Sequence, residues 1–517
     1  MTMPPLLPHL HPDGRWRWVA TGAAGGLGLA LAQAPVAWWP AAPLGLAVLA
    51  GIVLRAPGRS QALAGGIAFG VGAWLPVLGW LYSGIEPDHA AWFAYGAPTL
   101  VIAAFAAGPA ACSLVAHTLH ARPALTACLL LPALWAGTEW LRQLGSFRFP
   151  WAPLGHTQVE APLAGLAPLI GGLGVGLLTV ALGGAIALIC LGGCRTRKAA
   201  ALSLLAILAA AELAARIEWT RPAGAPLRAA LMQGGYAGSE KFDSDGVVSA
   251  LQRYAEFTLH SRARVAILPE TALPLLEHEL PPGYLDVVER RAREQNRDVL
   301  LGLFRRTEDD PRRHHNSARI VGASGAQTYD KTILLPFGET IPAAAILRPL
   351  FERIARVPML DAVPGSRLQP APVLGGIRIG LRLCFEDLFG DAAREASAAA
   401  GYLVVLSNDS WDGSDLPMHQ HLPAAQMRAL EAAKPLLRVA NTGWTASIRA
   451  DGRIDAVVPP HQPAVLETTL QPRIGITPYV RHGDAIPLGL AALAFSASLS
   501  ALPGARHGRA RDARSAA

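Results

Sequence analysis

Apolar residues come first in long runs and later in short ones, and the change falls near residue 217. The early runs are long enough to cross the roughly 30 Å hydrocarbon layer of a bilayer. They predict seven spans, at 18–36, 39–54, 61–82, 91–117, 124–141, 162–192 and 199–215, and an eighth fits Ile486–Leu502. Each must be a helix, because lipid offers the backbone no hydrogen-bond partners. Between the seventh and the eighth the apolar runs shrink to strand length: Leu227–Gln233, Val265–Leu268, Val299–Phe304, Ile377–Leu383, Tyr402–Ser407 and Leu436–Ala440. Helical patterns at about 245–260, 284–296, 387–400 and 418–433 separate them. Such alternation predicts stacked α/β layers. The expected organisation is a seven-helix membrane region over 1–216, an α/β extramembrane domain over 217–480, an eighth span within 481–502 and a basic tail over 503–517.

Composition supports the membrane reading. The chain is 51% apolar and only 16% charged, less charge than a soluble chain of this length carries. Its net charge of +7 comes mostly from Arg, and much of it flanks the apolar spans, which points to topology rather than nucleic acid. Arg15, Arg17, Arg55, Arg59, Arg122, Arg195, Arg197, Lys198 and the arginines after 502 fall on one side if the N-terminus is cytoplasmic. The polar domain then lies outside the cytoplasm. Arg142 and Arg148 break the pattern, in a loop with some other role. The start also resembles a signal peptide, with Ala32-Gln33-Ala34 as a cleavage site, and cleavage there leaves the rest oriented as before. Trp38, Trp39, Trp80, Trp92 and Trp140 near span ends read as interfacial anchors, and Glu139 reads as a partner for Arg142 or a headgroup.

Three places in the polar domain can do chemistry. Glu270 ends an apolar strand between Pro269 and Pro274, which stiffen its position, although a glutamate at a strand end is ordinarily a solvated loop residue. Lys331 precedes an apolar run, and Glu339 follows the Pro336-Phe337-Gly338 turn. A lysine in an apolar cleft offers a compact positive charge to an oxyanion; without context it is a surface lysine. Cys384 ends the Ile377–Leu383 run, where a helix is expected to begin and its dipole to lower the thiol pKa. It is equally a small core residue. No CxxC or Cys/His metal spacing surrounds it, and His314, His315, His419 and His421 read as solvated loop residues. Taken together, the three fit one mechanism: a glutamate base, a thiolate attacking an acyl carbonyl, and a lysine supporting the oxyanion.

These motifs resemble the nitrilase superfamily, and the membrane-embedded arrangement is similar to the bacterial apolipoprotein N-acyltransferases within it. Pro269-Glu270-Thr271-Ala272-Leu273-Pro274, Lys331 with Leu335-Pro336-Phe337-Gly338-Glu339, Cys384 with Glu386, Asn408-Asp409-Ser410-Trp411, Gln426–Glu431 and Phe149-Pro150-Trp151 carry the resemblance along nearly the whole chain. It implies a nitrilase-like αββα sandwich inserted before the last transmembrane helix. It also implies an inner-membrane enzyme whose catalytic domain faces the periplasm. Glu270 is then the proton acceptor, Lys331 the oxyanion support and Cys384 the nucleophile, with Glu339 and Glu386 as supports. No cofactor or metal is called for. The implied reaction is a ping-pong transfer from a phospholipid, phosphatidylethanolamine above all, to the amine of a diacylglyceryl-cysteine apolipoprotein. Phe385, Phe242 and Trp411 are substrate-binding candidates, although Phe385 lacks the hydroxyl often found in the family, Phe242 stands near where a tryptophan is common, and Asp412 replaces an aromatic.

Leu347, Leu350, Phe351 and Ile354 recur at helical spacing with arginines between them, the pattern of a lid lying on the membrane or of a helix packed on the core. The enzymatic rival is a membrane-tethered amidase in which water replaces the amine. A transporter with a ligand-binding outer domain would need polar residues deep in the spans, and these are mainly Ala, Gly and Leu.

Overall fold

The computed structural model describes residues 14–83, 91–120, 122–238, 240–310, 313–354, 362–410 and 413–502, with backbone alone at 91–93 and 350–354. Each apolar run before residue 217 forms a helix, the fifth interrupted by a π turn at Thr126–Leu130. Among the described residues, five helices are long and apolar enough to cross a membrane, at Arg59–Tyr82, Ala94–Thr118, Pro123–Leu141, Pro162–Leu191 and Cys194–Ala215. Ala41–Arg55 and Ala485–Leu499 are apolar but shorter. Glycine lets two helices touch: a Cβ on Gly22 or Gly26 of Arg15–Ala32 would sit 2.1 Å from a carbonyl oxygen of Arg59–Leu78. Small residues permit such close approach where apolar side chains gain nothing by leaving lipid. Glu139 pairs with Arg142 at 3.1 Å, and the guanidinium also lies over the Trp74 and Phe105 rings. Trp80 is not an interfacial anchor. The helix tightens into a 3-10 turn at Gly79–Tyr82, and the Trp80 ring is buried against Trp151 at 5.3 Å.

The described residues of the domain that follows hold fourteen strands: β1 (Arg221–Pro222), β2 (Leu227–Gln233), β3 (Val265–Ile267), β4 (Asp298–Arg306), β5 (His314–Gly322), β6 (Gln327–Asp330), β7 (Val373–Leu374), β8 (Ile377–Leu383), β9 (Tyr402–Ser407), β10 (Leu436–Ala440), β11 (Thr445–Ile448), β12 (Ile454–Val458), β13 (Ala464–Leu470) and β14 (Arg473–Ile474). They make one sheet in the order β13-β2-β3-β4-β5-β6, another in the order β12-β11-β10-β9-β8-β7, and a β1-β14 ribbon. Helices Ser244–His260 and Tyr284–Glu294 cross over between the parallel strands β2, β3 and β4. Gly390–Ala399 and Leu416–Ala432 do the same between β8, β9 and β10.

Alternation along the strands sets the layers. Val265 and Ile267 pack with Val404 and Leu406 of the other sheet in one inner core, whereas Ala266 packs outward with Ala250 and Val288 of the covering helices. Leu403 and Val405 likewise face Ala425 and Ala429. With both faces of the central strands covered, their sequences read as continuous apolar runs. The result is the expected αββα sandwich.

The sandwich docks on the helical region through aromatic and polar contacts. Phe385, Leu388 and Phe389 share a core with Trp80, Trp151 and Leu154. Gln420 accepts from the Trp151 indole at 2.6 Å and donates to the Val77 carbonyl at 2.8 Å. Helix Ala167–Leu191 kinks at Gly171, whose φ is +62°, and the Gly172 N–H beyond it donates to Glu431 at 2.8 Å.

Candidate active site

The position of Cys384, the candidate nucleophile, begins with a turn. After β8 ends at Leu383, Cys384 takes a φ of +46° and opens a 3-10 turn over Cys384–Leu388. A non-glycine residue there costs on the order of 1–3 kcal/mol unless its surroundings fix it. Glu386 supplies the fixing. Its carboxylate accepts from the Leu383 N–H at 2.9 Å, the Thr332 N–H and hydroxyl at 2.7 Å each, the Ile333 N–H at 3.2 Å and the Tyr329 hydroxyl at 3.0 Å. One buried carboxylate thus ties the cysteine's turn to the segment that carries Lys331.

Glu270 follows β3 and is buried. Its Oε1 accepts from Lys331 Nζ at 3.0 Å and Asn316 Nδ2 at 2.8 Å, and its Oε2 from the Asn408 N–H at 3.0 Å. Lys331 Nζ also donates to Glu339 Oε1 at 2.9 Å, and Glu339 in turn accepts from Asn316 at 2.8 Å and the Leu335 N–H at 2.8 Å. Glu270, Lys331 and Glu339 therefore form one network. Burial pushes the Lys331 ammonium down, but the carboxylates of Glu270 and Glu339 outweigh it and hold the value well above the usual lysine range. Lys331 is a fixed cation.

The thiol behaves differently from the sequence expectation. Burial pushes it up, with Glu270 adding to the rise and Lys331 opposing it. A five-residue 3-10 turn replaces the expected helix, so dipole stabilisation is outweighed by desolvation. Cys384 is still partly accessible. A thiol held protonated beside a carboxylate suits attack with concerted loss of the proton to a base.

Of the other candidates, Phe385 is buried between Phe149 and Phe389, with ring centroids 6.2 and 5.2 Å away. Phe242 is 44% exposed. Trp411 lies outside the described residues, as do the side chains of Leu350 and Phe351, although the backbone forms a helix over Ala344–Ile354. On that helix Ile346 is exposed and Leu347 half-buried.

Sequence reasoning passed over several partners. Asn316 bridges both carboxylates from within β5. Lys241, fully buried, donates to Thr271 Oγ1 at 2.6 Å and to the Glu270 carbonyl and Asn408 Oδ1 at 3.3 Å each. Burial lowers its ammonium to about 7 against the pull of Glu270. His421 is no loop residue: it is buried in helix Leu416–Ala432 and bonded to Asp409 at 2.9 Å. Cys384 Sγ, an Asp409 oxygen and a His421 nitrogen lie within 4.8 Å of one another, close enough to reach one metal ion. Asp409 is already bonded to Arg438, so a cation there would have to displace a guanidinium.

Two known families match this layout in chain order. Residues 25–185 match the apolipoprotein N-acyltransferase N-terminal domain, and residues 228–479 match carbon-nitrogen hydrolase. The apolipoprotein N-acyltransferase of Chromobacterium violaceum is 36% identical over 468 residues, covering 88% of this chain and 89% of that one. The corresponding protein of Azotobacter vinelandii is 38% identical over 485 residues, covering 91% and 92%. An amidase from Nesterenkonia sp. aligns with 49% of this chain and 92% of its own at 18% identity and a TM-score of 0.35, too remote to bear on mechanism. Identity at that level along most of both chains establishes membership: the chain belongs to the apolipoprotein N-acyltransferase family, acyltransferases of the carbon-nitrogen hydrolase superfamily.

Proposed function

We propose that this chain transfers a fatty acyl group from a phospholipid, phosphatidylethanolamine above all, to the amine of a diacylglyceryl-cysteine at a lipoprotein N-terminus. This is the last step of lipoprotein maturation. The observation that carries the reading is the buried Glu270–Lys331 ion pair, whose two charges shift the Cys384 thiol in opposite directions, in a chain whose relatives are named apolipoprotein N-acyltransferase.

The chemistry runs in two halves. Glu270 takes the proton from Cys384 as sulfur attacks the ester carbonyl, and Lys331 pairs with the oxyanion. The carbon–oxygen bond breaks, and the lysophospholipid alkoxide leaves with the proton from Glu270. In the second half a neutral amine attacks the thioester. Its proton passes to Glu270, the carbon–sulfur bond breaks, and the proton returns to sulfur. Glu339 and Asn316 keep the lysine and the base in register, and Glu386 keeps the thiol's turn against them.

A thioester must meet the amine before water does, so an opening toward lipid favours transfer. Two largely exposed rings support such an opening: Phe147 of the helical region lies 6.0 Å from Phe337, two residues before Glu339. In this reading the enzyme is a multi-pass protein of the bacterial inner membrane. Seven spans lie within 1–216 and an eighth within 481–502, the 217–480 domain faces the periplasm by the distribution of positive charge, and helix Ala344–Ile354 lies over the lipid-facing mouth.

Incubation of purified enzyme with phosphatidylethanolamine and a diacylglyceryl-cysteine lipopeptide tests the reading by mass spectrometry. The expected product is the lipopeptide one acyl chain heavier through an amide. Free fatty acid with unchanged lipopeptide would instead make the chain a hydrolase, in which water takes the acyl group in place of the amine.

A further inference from the structure

A group of buried ionisable side chains stands beside the nucleophile and takes no part in the triad chemistry. His421 contacts Asp409 Oδ1 through Nδ1 at 2.9 Å, and the Ser407 hydroxyl donates to the same oxygen at 2.5 Å. Arg438 bonds to the other Asp409 oxygen, and its Nη1 lies 4.0 Å from Asp387 Oδ2. Asp387, Asp409, Arg438 and His421 are all almost fully buried. His421 Nε2 and both Asp387 oxygens are buried without a hydrogen-bond partner among the described residues.

With both carboxyls ionised, two carboxylates face one guanidinium, and the group carries one negative charge when the imidazole is neutral and none when it is protonated; burial pushes the Asp387 carboxyl up, against that charge. The Cys384 sulfur, an Asp409 oxygen and a His421 nitrogen all lie within 4.8 Å of one another. A thiolate formed there meets the Asp409 carboxylate on one hand and the Lys331 ammonium on the other, and a charged ring adds a second cation. Imidazole is the side chain whose charge ordinarily changes across neutral pH. Among the described residues, Arg428, paired with Glu431, and His156 of the helical region also stand near the group, and burial holds the His156 imidazole well below the usual histidine range.

Resting on the assignment of Cys384 as nucleophile, we infer that His421, held by Asp409, is a positioning residue whose imidazolium form supplies a second counter-charge for the Cys384 thiolate. The cysteine proton still goes to Glu270, and His421 keeps its own proton throughout. An opposite charge at about 4–6 Å shifts a neighbour's pKa by roughly one to three units. Loss of that charge therefore slows thiol chemistry on the acidic side of neutrality and leaves the alkaline side unchanged.

The test is the rate of Cys384 alkylation by iodoacetamide in full-length enzyme, read on the Cys384 peptide by mass spectrometry from about pH 5.5 to about pH 9. Wild type is expected to show a logarithmic rate that rises by less than one decade per pH unit across neutrality and steepens above it. His421→Gln and His421→Asn are each expected to be about tenfold slower at the acidic end, to rise with unit slope, and to converge on wild type at the alkaline end. Superimposable curves, or curves separated by the same factor at every pH, overturn the inference. The wild-type curve decides alone if neither variant folds, because a straight rise of unit slope also overturns it. Acyl-thioester formation on Cys384 from phospholipid is scored in parallel: its absence ends the nucleophile assignment, whereas a thioester with superimposable curves ends only the role given to His421.

Discussion

Burial and the Glu270 carboxylate both raise the Cys384 thiol, so the glutamate proposed as the base also hinders the resting thiolate. The two effects separate by mutation. Glu270→Gln removes a negative neighbour, so Cys384 alkylation by a small reagent at neutral pH is expected to quicken. The same change removes the base, so acyl transfer is expected to fall by about 10²–10⁴-fold. Measuring both rates on one preparation checks it, and slower alkylation with intact transfer contradicts the roles assigned. At this scale the sequence showed what ends a strand or precedes an apolar run, and so exposed Glu270, Lys331 and Cys384. It hid the residues that hold them. Asn316 sits in a His-His-Asn-Ser stretch that reads as a polar loop, and the N–H of Asn408 has no side-chain signature. His421 reads as polar and solvated because nothing local tells that its helix is covered on one side by a sheet and on the other by the Trp151 segment.

Elements meet at a joint whose parts lie far apart in the chain. The kink at Gly171 leaves the Gly172 N–H free for Glu431, and the Tyr479 ring fills the space beside Gly171, where a Cβ would lie 2.1 Å from a ring carbon. Gly171→Ala is expected to destabilise the folded enzyme by about 3 kcal/mol or more, combining strain at positive φ with a clash at the packed ring. A thermal unfolding midpoint unchanged from wild type contradicts that view of the joint. Burial raises Glu431 from 4.5 to about 7, against the opposing charge of Arg428. The folded state thus holds a proton that the unfolded state releases. Its contribution is fully present below about pH 4.5 and is lost as pH rises through about 7. Wild-type unfolding midpoints are expected to decline across that window more steeply than those of Glu431→Gln, as differential scanning would register. Strands β3, β8, β9 and β10 were legible as apolar runs because both their faces are covered. Strands β12 and β13 were not, because they alternate buried and exposed positions at a sheet edge.

Across the whole molecule, the helical region and the sandwich share one continuous core where Trp151, Phe149 and Phe385 meet, one residue from Cys384. Composition foretold both parts, and the order of motifs foretold which family they form. It could not foretell that the loop after the fifth apolar run threads its aromatics against the turn after Cys384, because that contact joins segments more than 200 residues apart. Such an arrangement sets the thiol where the sandwich adjoins the apolar helices. The central claim is that an acyl group passes through this sulfur on its way from lipid to amine. Its most direct test is intact-mass analysis of the full-length enzyme incubated with phospholipid and then given a lipopeptide amine. Wild type is predicted to gain one fatty acyl mass, labile to hydroxylamine and lost on addition of the lipopeptide, and Cys384→Ala is predicted to gain none. An acyl adduct that forms equally in Cys384→Ala, or that the amine fails to discharge, would contradict the account.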